Sequence, residues 1–543
     1  MTTDRTQIPE SGLPHSDILQ TLDDYKVGDA DYRGGRTWSL VYWAGEEHHH
    51  LIEEAHRRFL AENALNPMAF KSLKRMEREV IEMTASMLNA PPEAVGTMTS
   101  GGTESLLLAV KTYRDRARSK RLLPRLGRPN MVVPETIHVA FDKAGHLFGV
   151  EKRVARTDAF GAVDVDHMAR LVDRNTIMLA GSAPQYVHGT VDPIPAIGEL
   201  ALRTGLPLHV DACFGGFMLP WLERLGVDLP VWDFRVPGVS SISADVHKYG
   251  FGAKGASTIV YRDMSYLRHQ FFVAAQWQGG IYISPGLPGT RPGGPIAAAW
   301  TAMKALGQEG YLMLARGALE AAVELRAGIA TIPGLRVMGH PHSTIVTWTS
   351  TDPAVDVYAV ADQLQALGWG VDRQQRPASV HLTVNASNLP VVDRYLADLR
   401  EAVAHVRAHP ELRTQGEAAV YGLMAKVPMG AGLGRFVERE VLNVVEGMYA
   451  AGASEAGPKP SPVLDKYGAQ VRDVLDKVEG WRDAAKAQLS GLAERSGLAG
   501  LTGLADDLEK RARKIQRKLP RLGAALEGPK AALTRRFSFK RKV

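Results

Sequence analysis

The chain has 543 residues, a formal net charge of +6 and one cysteine, Cys213. That length accommodates more than one domain with a sizeable core, and a lone cysteine excludes an internal disulfide and fits a reducing compartment. No apolar run approaches the roughly 18 residues of a membrane span, and the acidic stretch from Asp17 to Asp31 is unlike a secretory signal, so a cytoplasmic protein is expected.

Residues 1–55 read as an N-terminal arm. Its run His48, His49, His50 is taken as a solvated helix start and not a metal site, since no thiolate or carboxylate completes a ligand set. From 56 to 310, strand-like runs begin at Val95, Met131, Thr176, Leu206, Val239 and Ala256, and helical patterns separate them. Such alternation predicts an α/β domain with a mostly parallel sheet and ligands at the strand C-terminal ends. Residues 311–415 read as a smaller α/β domain, with strands near Ser343–Trp348 and Ser379–Val384.

Residues 416–452 read as a helical segment, and the Pro, Gly and Ser of 453–462 as a linker. Beyond it, 463–543 is an amphipathic helical and basic tail. From Lys510 onward 13 basic residues face Glu527 alone, a net of +12, which leaves −6 for the rest. Two readings of this tail are open: a solvated chain end, or attraction to an anionic membrane surface that would place the protein peripherally there. No specific nucleic acid is expected, because no recognised binding motif accompanies the charge.

Three short motifs carry the chemistry. Thr99-Ser100-Gly101-Gly102-Thr103-Glu104-Ser105 lies between a strand and a helix, where backbone amides with the hydroxyls of Ser100 and Thr103 make a phosphate cradle. Asp211 ends a strand in His209-Val210-Asp211-Ala212-Cys213-Phe214-Gly215-Gly216, and Lys248 follows another in Asp245-Val246-His247-Lys248-Tyr249-Gly250. Burial is expected to lower the pKa of Lys248 and ready its amine for an aldehyde. A phosphate turn, then a carboxylate for a ring nitrogen, then a lysine is the order that suits pyridoxal 5'-phosphate (PLP).

These motifs resemble the PLP enzymes of the aspartate aminotransferase-like fold (PLP fold type I), and within them the sphingosine-1-phosphate lyase branch of the group II decarboxylase superfamily. Similar blocks run from about Gly35 to about Leu423, including Asn63–Glu77 (NALNPMAFKSLKRME), His138–Ala144 (HVAFDKA), Gly181–Pro193 (GSAPQYVHGTVDP), Asp233–Gly255 and Ser284–Gly294 (SPGLPGTRPGG). The resemblance implies that Gly101, Gly102 and Thr103 hold the phosphate, that His138 stacks on the pyridine ring, and that Ser182 and His247 hold the phosphate and ring oxygen. It places Thr290 and Arg291 at the interface of a homodimer with shared active sites. Tyr42, Asn66, Lys254 and Tyr249 match positions near the substrate phosphate or the reacting bonds.

The implied substrate is a small-molecule amine. In a lyase it is a phosphorylated sphingoid base, cleaved between Cα and Cβ to a long-chain aldehyde and phosphoethanolamine. A PLP-dependent amino-acid decarboxylase would use the same electron sink, and a non-catalytic PLP-binding scaffold brought to membranes by the tail is a third reading. One position departs from the lyase pattern. Asn66 stands where those enzymes carry histidine, so one charge-assisted contact to a substrate phosphate is lost.

Overall fold

In a computed structural model, the structure describes residues 7–66, 68–119, 127–340 and 342–426, with isolated positions 442, 443, 445, 446 and 449. The expected linker and basic tail lie outside the described residues.

The large sheet has seven strands: β1 (Val95–Thr99), β2 (Asn130–Pro134), β3 (Glu151–Ala155), β4 (Thr176–Ser182), β5 (Leu208–Asp211), β6 (Val239–Ala244) and β7 (Ser257–Tyr261). Their order is β1-β7-β6-β5-β4-β2-β3. Pairing is parallel from β6 through β5, β4 and β2 to β3, and antiparallel only where β7 meets β6 and β1. Strands β2, β4, β5 and β6 are buried along their whole length. Helices cover both faces of such a sheet, so its strands read as unbroken apolar or small-residue runs. Because β4, β5 and β6 run parallel, Ser182, Asp211 and the exit toward Lys248 fall on one edge.

Two further strands, β8 (Phe272–Trp277) and β9 (Gly280–Ser284), form a separate antiparallel hairpin. Most of its side chains, Trp277 and Ile281 among them, are exposed. The smaller sheet is antiparallel, in the order β10 (Leu335–Val337), β11 (Ile345–Ser350), β13 (Ala378–Thr383) and β12 (Asp372–Gln375).

One helix, Gly293–Ala330, joins the two halves and bends at Gly307, whose φ of 55° is the left-handed region glycine tolerates. The expected 310/311 boundary lies inside this helix. Burial shows the changeover further on: Tyr311 to Ala318 pack into the first core, and Ala321 onward into the second. The arm reaches the small domain through Trp38. Trp38 is buried in the second core, stacked with Trp369 and edge-on to Tyr395, while its backbone pairs with Gly370 and Thr383. The triple histidine lies in the helix Glu46–Arg58, which packs on Gly293–Ala330, and His48 Nε2 meets the Phe251 carbonyl at 2.9 Å.

Candidate active site

The phosphate turn is braced from below. Glu104 is buried, and one of its oxygens accepts from both the amide and the hydroxyl of Ser100 at 2.7 Å. The other oxygen accepts from the Leu287 amide at 2.9 Å. Thr99 and Ser105 share a hydroxyl bond of 2.7 Å, and Ser105 a second with Ser257 on β7. The helix Gly102–Ser119 starts within this turn and presents its first-turn amides there. A Cβ on Gly102 would stand 2.8 Å from Asp245 Oδ2 and 2.9 Å from Cys213 Sγ, and one on Gly101 would stand 3.2 Å from His247 Cε1. The turn therefore meets the ends of β5 and β6 so closely that glycine is required at 102.

Lys248 Nζ donates to Asp245 Oδ2 at 2.9 Å. His247 Nδ1 lies 3.2 Å from the Ala256 amide, which can only donate, so the ring hydrogen belongs on Nε2, facing the same carboxylate at 3.6 Å. Burial raises the proton affinity of Asp245, but the charge of Lys248 and the bond from His247 outweigh it and hold the carboxyl far below its usual range. For Lys248 the outcome reverses the sequence expectation. Burial does act downward, yet Asp245, with smaller effects from Cys213 and Asp211, carries the amine above its ordinary value. Asp245 Oδ1 is buried without a hydrogen-bond partner, as fits a carboxylate placed to receive a further group.

Asp211 ends β5, is buried, and accepts from the Cys213 amide at 3.1 Å through one oxygen. His138 follows β2 with its ring exposed and its Nδ1 capping the Ala140 amide at 3.2 Å, which fixes the ring's orientation. Ser182 ends β4, its amide held by Asp192 at 2.8 Å. Lys254 Nζ sits 5.3 Å from the centre of the Tyr42 ring and donates to the Leu40 carbonyl. Burial, then the charge of Lys248, lowers its pKa, which places the two lysines in one electrostatic neighbourhood. A cleft of about 600 Å³ opens beside Tyr42 and Lys254, walled by Val41, Trp43, Ile52 and Phe251.

Three expected site residues, Tyr249, Arg291 and Asn66, make side-chain hydrogen bonds elsewhere within the chain. Tyr249 is fully buried, and its hydroxyl bonds Thr344 Oγ1 and the Val384 carbonyl, both at 2.7 Å. Its hydroxyl thus ties the large domain to the small one, while its ring packs edge-on to Tyr42 at 4.9 Å. Arg291 forms a two-pronged pair with Glu77 at 2.6 and 3.0 Å, with Thr290 exposed beside it. Asn66 is exposed, and its side-chain oxygen accepts from the Met68 amide at 2.9 Å.

Three groups were missed. Asp245 had a signal, standing three residues before Lys248 where one turn brings them together. Tyr186 and Asp372 had none: the Tyr186 hydroxyl donates to Asp372 at 3.0 Å across 186 residues of chain.

Residues 42–349 match the family model described as the pyridoxal-dependent decarboxylase conserved domain. The chain belongs to the pyridoxal-dependent decarboxylase family. Within it, the sequence sits with the sphingosine-1-phosphate lyase-like branch. It is 42% identical to the sphingosine-1-phosphate lyase of Arabidopsis thaliana over 78% of each chain, and 40% identical to that of Rattus norvegicus over 77% of this chain and 73% of that one. A solved Burkholderia pseudomallei sphingosine-1-phosphate lyase superposes with a TM-score of 0.71 at 41% identity, over 75% of this chain and 94% of that one. The family is PLP-dependent, and the residues present fit that cofactor: a glycine cradle, an amine, a carboxylate at a strand end and an unpartnered Asp245 oxygen.

Proposed function

We propose that this chain is a PLP-dependent carbon–carbon lyase acting on a phosphorylated sphingoid base, with a long-chain aldehyde and phosphoethanolamine as products. Lys248 would carry the cofactor, Gly101, Gly102 and Thr103 its phosphate, and Asp211 its ring nitrogen. His138 would stack on the ring, and Ser182 and His247 would complete the setting. When bound, PLP supplies an electron sink for the carbon left behind by bond cleavage. Asp245 serves the chain's own chemistry by holding the Lys248 ammonium in place until the amine is called on.

The observation that carries the choice of substrate is the neighbourhood of Lys254, Tyr42 and the apolar cleft, close to Lys248. A lysine cation and a tyrosine hydroxyl suit a phosphate, and the apolar walls suit a lipid better than a small dicarboxylic amino acid. Asn66 can still donate a hydrogen bond to that phosphate but adds no charge. The test is turnover of a phosphorylated sphingoid base beside its unphosphorylated form and a panel of α-amino acids. Strong preference for the phosphorylated base supports the reading. Carbon dioxide release from an amino acid, with no cleavage of the base, replaces it with the decarboxylase.

The working unit we infer is a homodimer, supported by the exposed apolar side chains on β8 and β9. For the tail, the +12 charge from Lys510 onward supports electrostatic attachment to anionic lipid, where such a substrate resides. Among the described residues, no helix is long and apolar enough to cross a membrane.

A further inference from the structure

A glutamate in the first turn of a helix commonly reaches back to an amide just before it. Oε2 of Glu104 does this, taking both the amide and the hydroxyl of Ser100 at 2.7 Å. A hydroxyl has one proton, so Ser100 gives both its donors to Glu104 and none to a phosphate. A cofactor phosphate at this turn therefore falls to Gly101, Gly102 and Thr103, at the start of the helix Gly102–Ser119, where amides lack partners inside the helix.

A cap alone would leave Oε1 idle, and here it is engaged. It accepts from the Leu287 amide at 2.9 Å, 183 residues further along the chain, and a Cβ on Gly286 would stand 2.8 Å from the same oxygen. The loop that carries these two residues is itself fixed. Ser284 Oγ bonds the Gly286 carbonyl at 3.0 Å. Buried Gln270 donates to the Pro285 carbonyl at 2.6 Å and to Thr97 Oγ1 on β1 at 2.8 Å. Gln270 and Pro285 flank the hairpin β8–β9, so both of its ends stand on the strand and turn that make the cradle.

We propose that Glu104 is a positioning residue for the cofactor phosphate, coupling the loop 284–289 to the phosphate turn; this rests on the assignment of that phosphate to Gly101, Gly102 and Thr103. A carboxylate accepts through both oxygens. A glutamine in its place would turn its amide nitrogen toward Leu287 or Ser100, where the backbone offers a donor as well. Phosphate steadies the turn, the turn steadies Glu104, and Glu104 steadies the loop under the hairpin. By linkage, a displaced loop weakens the phosphate site by the same factor that phosphate steadies the loop.

The test strips the full chain of cofactor and titrates it with PLP and with pyridoxal, which lacks the phosphate, following cofactor absorbance. Glu104→Gln should weaken PLP about tenfold and leave pyridoxal within about twofold, the scale of one lost hydrogen bond confined to the phosphate. Removing a negative charge near a phosphate would by itself tighten PLP, so the loss reports geometry. Gly286→Ala pushes on Oε1 from the loop without touching the turn, and it should give the same selective loss. In the unaltered chain PLP should slow hydrogen exchange in 284–289 more than pyridoxal does, and in Glu104→Gln that difference should vanish. An equal loss for PLP and pyridoxal overturns the proposal, because it marks a general structural role. Unchanged PLP affinity overturns it too, as does a loss in Glu104→Gln that Gly286→Ala does not share. Gly102→Ala tests the assignment underneath: if PLP keeps its full preference over pyridoxal there, the turn does not hold the phosphate, and the coupling falls with that reading.

Discussion

Lys248 shows why burial alone does not decide the state of an amine. Desolvation and a carboxylate 2.9 Å away act in opposite directions, and the carboxylate prevails. The site therefore holds an ammonium oriented by Asp245, with His247 on the same oxygen and Gly102 in contact behind it. Asp211 is set apart from that pair, steadied by the Cys213 amide. If it holds a protonated ring nitrogen, Asp211→Asn should fold and retain cofactor while losing roughly 10²–10³-fold in kcat, because a neutral amide cannot support the ring's positive charge. Steady-state kinetics with cofactor titration checks this. Near-native turnover in that variant would remove Asp211 from the chemistry.

Among the elements, the buried parallel strands were the most legible. Their runs of small and β-branched residues at Thr176–Ser182, Leu208–Asp211 and Val239–Ala244 have no other stable use than a sheet covered on both faces. Strand ends then located Asp211 and Lys248, and the glycine pair located the cradle. The exposed β8–β9 hairpin and the four-residue β12 lacked that signal, because neither is apolar in a pattern that burial enforces. The direction of the Tyr249 hydroxyl was not legible for a related reason. Standing next to Lys248 in sequence says nothing about direction, and its hydroxyl turns toward the small domain. Tyr249→Phe should then lose two interdomain hydrogen bonds and cost about 1–3 kcal/mol of stability, with turnover near native. Thermal unfolding beside kcat measures both. A collapse of kcat without loss of stability would return Tyr249 to the chemistry.

Among the described residues, one bent helix runs from the core beside the large sheet into the core of the small domain, where Trp38 of the arm is buried, and the cleft beside Lys254 lies between arm and large domain. Exposed Phe272, Val273, Trp277, Ile281 and Ile283 give β8 and β9 an apolar surface of the kind a partner covers. Sedimentation should find a dimer, and Trp277→Asp with Ile281→Asp should shift it toward monomer with loss of activity. A fully active monomer would refute the shared site. Liposome flotation should show binding that needs anionic lipid, weakens with salt and vanishes when the chain ends at about Gly452. The central claim is bond cleavage at Cα–Cβ. Its most direct test is a mass-spectrometric time course of the purified PLP-loaded chain with a phosphorylated sphingoid base. The account predicts long-chain aldehyde and phosphoethanolamine in equal amounts, and neither from Lys248→Ala. Intact base after prolonged incubation, or equal product from Lys248→Ala, would contradict it.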